Sequence, residues 1–176
     1  LNRAWYTVAN LTNDPQELEQ AIQRSFALSR LLAPNDVTTS LYHIIARVEN
    51  ERGNFKRADE IFCECLQIAQ SMTAVPENVR KNQIAWTIRM QGSSYFYRDQ
   101  LSLARQCLVQ CVSLFQEIGQ TFEANSTYIE LHLTALYLND FEQAEKYYQL
   151  YNQGFGENAD LFSNRLSRPK LLTAIR

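Results

Sequence analysis

The sequence predicts an all-α fold built from stacked pairs of helices. Apolar residues recur at steps of three and four, as in the segments 55–70 and 100–118, which is the spacing of a helix that buries one face. The 176 residues include only five glycines and four prolines, too few for the many turns of a β-sandwich or barrel. A template of large and small residues also recurs four times, which indicates repeated helix pairs.

Composition and charge exclude several classes of function. Apolar residues make up 45% of the chain and charged residues 20%, which is enough for a packed core. The 17 basic and 19 acidic residues give a net charge of −2, so no strong field attracts nucleic acid or an anionic membrane. We therefore expect no direct nucleic-acid or membrane contact. The four cysteines lie in helical segments and not in a loop-rich disulfide framework, so we expect them to be reduced and the protein to be cytoplasmic. The sequence begins at Leu1 and not at a methionine, and we interpret it as part of a longer protein.

Turn-forming residues separate the periodic segments and divide the chain. They are Asp14-Pro15, Pro34-Asn35-Asp36, Gly53-Asn54, Val75-Pro76, Arg98-Asp99, Gly119, Asn139-Asp140 and the stretch 154–158. Together with the periodicity they predict eight or nine helices. We expect four helix pairs in residues 1–157. Residues 158–176 break the phase and form either a capping helix or a truncated fifth repeat.

Four alanines anchor the recurring template, each three residues after an apolar residue. They are Ala21, Ala58, Ala104 and Ala144. Twelve residues earlier stand mostly small residues, namely Ala9, Ala46, Gly92 and His132. Sixteen residues earlier stand the large residues Trp5, Tyr42, Ile88 and Tyr128, and seven residues later Leu28, Cys65, Cys111 and Tyr151. Small side chains allow two antiparallel helices to cross closely, and bulky ones fill the space beside the crossing.

These residues resemble the tetratricopeptide repeat (TPR), a helix–turn–helix unit. The resemblance rests on Trp5-x-x-Val8-Ala9, Tyr42-x-x-Ile45-Ala46, Gly92-x-x-Tyr95 and the segments 54–62 and 140–148. It covers residues 2–153 and implies a right-handed α-solenoid whose first helices line a concave groove. The alanines lie 37, 46 and 40 residues apart, against about 34 residues in the family. Such elongated repeats resemble the helical-repeat regions of bacterial regulators.

The resemblance also implies which residues face the groove. Those that we take as candidate binding residues are Tyr6, Asn10, His43, Arg47, Trp86, Arg89, Phe96 and Tyr137. We expect the site to centre on two arginines and two aromatic residues, Arg47, Arg89, Trp86 and Phe96, because binding hot spots favour these types. Such a groove suits an extended peptide or an amphipathic helix. An ordinary solvated face with scattered aromatic residues is the alternative.

The sequence therefore favours a non-catalytic protein- or peptide-binding module of a larger regulatory protein. The alternative is a ligand-sensing domain of a multidomain transcriptional regulator or signalling ATPase. An RNA-reading repeat is disfavoured because it needs a near-constant repeat length. Self-association through exposed end repeats remains open.

Few residues offer catalytic or metal chemistry, and no known enzyme motif occurs. His132 takes a small-residue position of the template, so we expect a partly buried histidine with one hydrogen bond. Cys63 and Cys65 lie two residues apart, about 200° around a helix, and cannot both chelate one metal. Zinc binding or a redox switch is thus the less favoured reading of the cysteines. We expect no enzyme activity, no cofactor and no metal.

Overall fold

The computed structural model describes residues 36–155 and, before them, the helical positions 20, 21, 23, 24 and 27. Tyr6, Asn10, the first helix of the first pair and the segment 158–176 lie outside the described residues. Within the described part all regular structure is helical, which confirms the all-α prediction. The helices are α1 (Asp36–Glu51), α2 (Phe55–Ser71), α3 (Glu77–Tyr97), α4 (Leu101–Glu117), α5 (Thr121–Tyr137) and α6 (Phe141–Phe155).

Four of the turns between these helices share one geometry. In each, the middle residue adopts a left-handed conformation, with φ of 79°, 59°, 73° and 58° at Gly53, Asp99, Gly119 and Asn139. The next N–H then bonds the carbonyl five residues earlier at 2.8–2.9 Å, from Asn54, Gln100, Gln120 and Asp140. Glycine, asparagine and aspartate are the residues that best tolerate this conformation. The predicted turn residues at these four places are therefore confirmed.

Each helix packs against the next one in sequence, and α3 also packs against both α1 and α5. Two hydrogen bonds join α1 to α3: Thr39 to Gln83 at 2.6 Å and His43 to Thr87 at 2.8 Å. Both bonds join residues 44 positions apart, so α1 and α3 run in the same direction. The odd-numbered helices α1, α3 and α5 thus lie side by side.

The template residues form the interior of the packing. The alanines Ala21, Ala58, Ala104 and Ala144 are each at most 1% exposed, as the sequence predicts. The described template residues sixteen positions before and seven positions after these alanines are also buried, namely Tyr42, Ile88, Tyr128, Cys65, Cys111 and Tyr151. At Gly92 an added Cβ would lie 3.1 Å from the Cβ of Cys107 and the Cγ of Leu108. The α3–α4 contact is therefore close, and a side chain at position 92 would have to displace Cys107 and Leu108.

Ion pairs join successive helix pairs at matching positions. Asp59 and Arg105 each directly follow a template alanine. Asp59 pairs with Arg98, and Arg105 pairs with Asp140 at 3.2 Å. Both partners lie in the turn of the following helix pair, so each contact ties one pair to the next.

The remaining candidates for chemistry are mostly packed in the interior. His132 is partly buried, and its Nδ1 donates a hydrogen bond to the carbonyl of Ala144 at 2.9 Å, as expected. All four cysteines are free, and burial raises the pKa of Cys65 to about 11 and that of Cys111 to about 12. Among the described residues, no three metal-ligating side chains gather. None of the helices in that part of the chain is long and apolar enough to cross a membrane.

Candidate functional site

A cavity of about 330 Å³ opens between α1 and α3. Its lining comes from helical steps of three and four on the two facing helices: Ser40, His43, Ile44 and Arg47 on α1, and Asn82, Gln83, Trp86 and Met90 on α3. The parallel course of α1 and α3 brings these two faces together. Three predicted site residues, His43, Arg47 and Trp86, therefore share one cavity.

His43 is held as a neutral, fixed part of the cavity wall. Its Nε2 lies 2.8 Å from the hydroxyl of Thr87. That hydroxyl donates to the carbonyl of Gln83 at 2.8 Å, so it accepts the proton of His43 Nε2. Burial lowers the pKa of His43 to about 4 because it disfavours the charged imidazolium. His43 thus offers the cavity no positive charge at neutral pH.

Further hydrogen bonds fix the wall behind His43. The hydroxyl of Thr39 donates to Oε1 of Gln83 at 2.6 Å. The sulfur of Cys65 lies 3.4 Å from the hydroxyl of Thr87 and 3.6 Å from the carbonyl of Thr39. Interconnected buried polar groups hold their side chains in one arrangement. The inner wall of the cavity is consequently preorganised.

Arg47 supplies the positive charge of the cavity. Its side chain is exposed, and it forms no ion pair with any residue in the described range 36–155. The eight lining residues include no aspartate or glutamate. The cavity therefore combines one guanidinium with neutral hydroxyl and amide groups and an apolar side formed by Trp86, Met90 and Ile44.

Trp86 belongs to both the cavity wall and the core. Its indole meets the ring of Phe115 edge to face, with centroids 5.7 Å apart and an interplanar angle of 76°. The sequence places Trp86 away from the packing positions of the template, and the structure differs because the indole is wide enough to reach α4 while lining the cavity. Removing it affects packing as well as the cavity.

Arg89 lies outside this cavity and links α3 to α5. Its Nε and Nη2 donate to Oε1 of Glu130 at 2.8 and 2.5 Å, and its Nη1 donates to the hydroxyl of Ser126 at 2.9 Å. The side chains of Arg89 and Glu130 are only 11% and 17% exposed. We expected Arg89 to face a partner, but in the structure its guanidinium forms an ion pair with Glu130 of the same chain.

Phe96 and Tyr137 form a separate aromatic contact. Their rings meet edge to face at 5.4 Å, and Tyr97 packs against Phe96 at 6.2 Å. Tyr137 and Tyr97 are 49% and 73% exposed. Neither Phe96 nor Tyr137 lines the cavity, so the six candidates within the described residues do not all share it.

The candidate residues left out five residues of the cavity lining, namely Ser40, Ile44, Asn82, Gln83 and Met90. Each lies three or four positions from His43, Arg47 or Trp86, so the helical neighbours of the predicted residues were the signal. The completed site is a small, mixed polar and apolar cavity with one exposed cation. In comparisons with known proteins, the sequence matches no protein-family model and no curated protein.

Proposed function

We propose that this chain is a non-catalytic protein- or peptide-binding module and part of a larger regulatory protein. In this proposal the helix pairs form a TPR-like, right-handed α-solenoid, and a partner lies along the adjacent faces of α1, α3 and α5, which we call the groove. The observation that carries the proposal is the cavity in this groove, where His43, Arg47 and Trp86 come together.

The regularity of the helix pairs supports the solenoid part of the proposal. The left-handed turn residue recurs at Gly53, Asp99 and Asn139, between the two helices of each described pair. A template alanine follows five residues later in each pair and is buried. Side-by-side odd-numbered helices are the arrangement that stacked helix pairs produce.

The chemistry of the cavity favours binding over catalysis. His43 has a pKa of about 4 and donates its Nε2 proton to Thr87, which suits a positioning role. Cys65 behind it keeps its proton at neutral pH, with a pKa of about 11. A rigid wall beside an exposed arginine and an indole favours partner binding, because preorganised groups lose little entropy.

A peptide-display selection tests this function. Random peptides of about twelve residues are selected on the purified chain, and their affinities are measured by fluorescence anisotropy. Asn82→Trp fills the cavity and should abolish binding, whereas Gln110→Trp, on the exposed side of α4, should leave it unchanged. Circular dichroism establishes that both variants fold. Failure to enrich any peptide, or equal binding by both variants, contradicts the proposal.

The cavity volume supports a second candidate, a ligand-sensing domain. A volume of about 330 Å³ falls at the lower end of the roughly 300–1,000 Å³ typical of small-molecule pockets. A small ligand between α1 and α3 would contact both helices and alter their spacing. A thermal-shift screen of metabolites separates the candidates: sensing requires a compound that raises the melting temperature of the wild type but not of Asn82→Trp.

A further inference from the structure

The groove contains two junctions between odd-numbered helices, and the template makes them comparable. Met90 lies fourteen residues before Ala104, and Glu130 lies fourteen residues before Ala144. Met90 at the α1–α3 junction therefore corresponds to Glu130 at the α3–α5 junction. By the same count, Arg47 lies eleven residues before Ala58 and corresponds to Ser93.

At the α3–α5 junction the carboxylate of Glu130 on α5 is hydrogen-bonded to side chains of α3. Oε1 of Glu130 accepts two hydrogen bonds from Arg89, and Oε2 accepts one from the hydroxyl of Ser93 at 2.7 Å. Both carboxylate oxygens are thus bonded to donors on α3. A partly buried arginine and a carboxylate satisfy each other here, so no external anion is needed.

At the α1–α3 junction the corresponding carboxylate is missing from the lining. Met90 stands at the template position that Glu130 has in the next helix pair, and the eight described lining residues include the cation of Arg47 but no acidic residue. Arg47 forms no ion pair with the described residues. The equivalent place is an open cavity of about 330 Å³ instead of an internal ion pair.

We propose that the α1–α3 cavity binds a glutamate or aspartate side chain of a partner peptide. The carboxylate of this peptide residue pairs with Arg47, just as the carboxylate of Glu130 accepts a hydrogen bond from Ser93 at the other junction. The amide of Asn82 lies in the same lining and is a second donor, while Trp86 and Met90 contact an apolar neighbour of the acidic residue. This inference rests on the proposed function and adds the chemistry that selects the partner.

A double-mutant cycle tests the geometry without a partner. Met90→Glu supplies the missing carboxylate from within, and Met90→Gln is its uncharged control of the same shape. We expect Met90→Glu to melt about 2–4 °C above Met90→Gln at pH 7, as a pair worth up to about 1 kcal/mol would in a domain of this size. The difference should vanish when Arg47→Gln is added. An equal difference in both backgrounds overturns the inference.

The displayed peptides test the ligand class directly. Their carboxyl ends are fused to the carrier, so only side-chain carboxylates are available. We expect aspartate and glutamate to be enriched, and Arg47→Gln to weaken binding about tenfold, the effect of losing one charged hydrogen-bonding partner. Arg47→Lys should recover part of the affinity, and raising the salt concentration should weaken binding.

The outcomes separate this inference from the proposed function. If no peptide is enriched, both fail. If peptides bind in a manner lost in Asn82→Trp but carry no acidic residue, or bind Arg47→Gln unchanged, only this inference fails. It also fails if synthetic versions bind solely through a free terminal carboxylate, so that changing their Glu or Asp to Gln or Asn has no effect.

Discussion

The guanidinium of Arg98 donates a hydrogen bond to each carboxylate oxygen of Asp59. Its Nη1 and Nη2 donate to Oδ2 and Oδ1 at 2.9 and 2.7 Å. The same guanidinium lies over the ring of Tyr95 at 4.6 Å and over that of Phe55 at 5.4 Å. The side chain of Arg98 is only 6% exposed and that of Asp59 is 36% exposed, so water reaches this contact between two helix pairs mainly from the side of the carboxylate.

Replacing Arg98 by lysine should destabilise the fold despite keeping the charge. Lysine cannot form the two parallel bonds to Asp59 or stack its head group flat on a ring. We expect the free energy of unfolding in urea to fall by about 1.5–3 kcal/mol. Arg57→Lys is the control, since Arg57 pairs with Glu60 on the exposed surface, where a pair contributes less than about 1 kcal/mol. Equal losses in both variants would contradict this reading.

The Arg89–Glu130 pair should contribute to stability more than to partner binding. Arg89→Met leaves the carboxylate of Glu130 partly buried without its cation, which we expect to cost about 3 kcal/mol of unfolding free energy. Adding Glu130→Met removes the unpaired carboxylate and should restore much of the lost unfolding free energy. Urea denaturation of both single variants and the double variant measures this coupling. Additive losses would show that the two side chains act independently.

Enlarging a template alanine should overpack a helix contact. Ala104 is fully buried, and Ala104→Leu should lower the free energy of unfolding by about 1–3 kcal/mol. Gln110→Leu makes a leucine at an exposed position of the same helix and should change it little. Thermal melting followed by circular dichroism compares them. An unchanged melting temperature in Ala104→Leu would refute the close packing.

Stability should fall on acidification because of His43. Its pKa is about 4 in the folded chain and about 6.5 when unfolded. Between these values the unfolded state binds a proton that the folded state does not, so the free energy of unfolding decreases as pH falls from 6.5 to 4. The loss reaches about 3 kcal/mol at 1.36 kcal/mol per pKa unit. His43→Gln should remove this part of the pH dependence; an identical profile in that variant would contradict the assignment.

Thiol labelling should distinguish the four cysteines. Cys63 is exposed, whereas burial raises the pKa of Cys65, Cys107 and Cys111. The thiolate is the reactive form, so iodoacetamide at pH 7.5 should modify Cys63 first in the folded protein. Mass spectrometry of peptides identifies the modified residue, and labelling in urea should reach all four. Early modification of Cys111 would show that the α4 packing opens readily.

Local patterns predicted the helices and their core because those features depend on neighbours in sequence. The periodic segment 55–70 became α2, Phe55–Ser71, and the spacing around Ala58 identified a buried crossing. A 3.6-residue period fixes which face is buried before any tertiary contact is known. The turn at Gly53 was equally local, since it needs only a residue that accepts positive φ.

The contacts of the site residues depended on tertiary register and were not predictable in the same way. The sequence predicts that Arg47 and Arg89 both face the groove. Arg89 pairs with Glu130, 41 residues away, whereas Arg47 pairs with no acidic residue in the described part. Only the side-by-side placement of α3 and α5 decides that difference. The reach of Trp86 to Phe115 likewise depends on how closely α3 and α4 pack.

The two ion pairs between successive helix pairs have opposite charge arrangements. Asp59 of the α1–α2 pair meets Arg98 of the α3–α4 pair, and Arg105 of the α3–α4 pair meets Asp140 of the α5–α6 pair. If the α1–α2 pair stacked directly on the α5–α6 pair, Asp59 would face Asp140. If the α3–α4 pair stacked on a copy of itself, Arg105 would face Arg98. At this position each described helix pair therefore meets an opposite charge in its native neighbour and would meet a like charge in these two mispairings, which disfavours them.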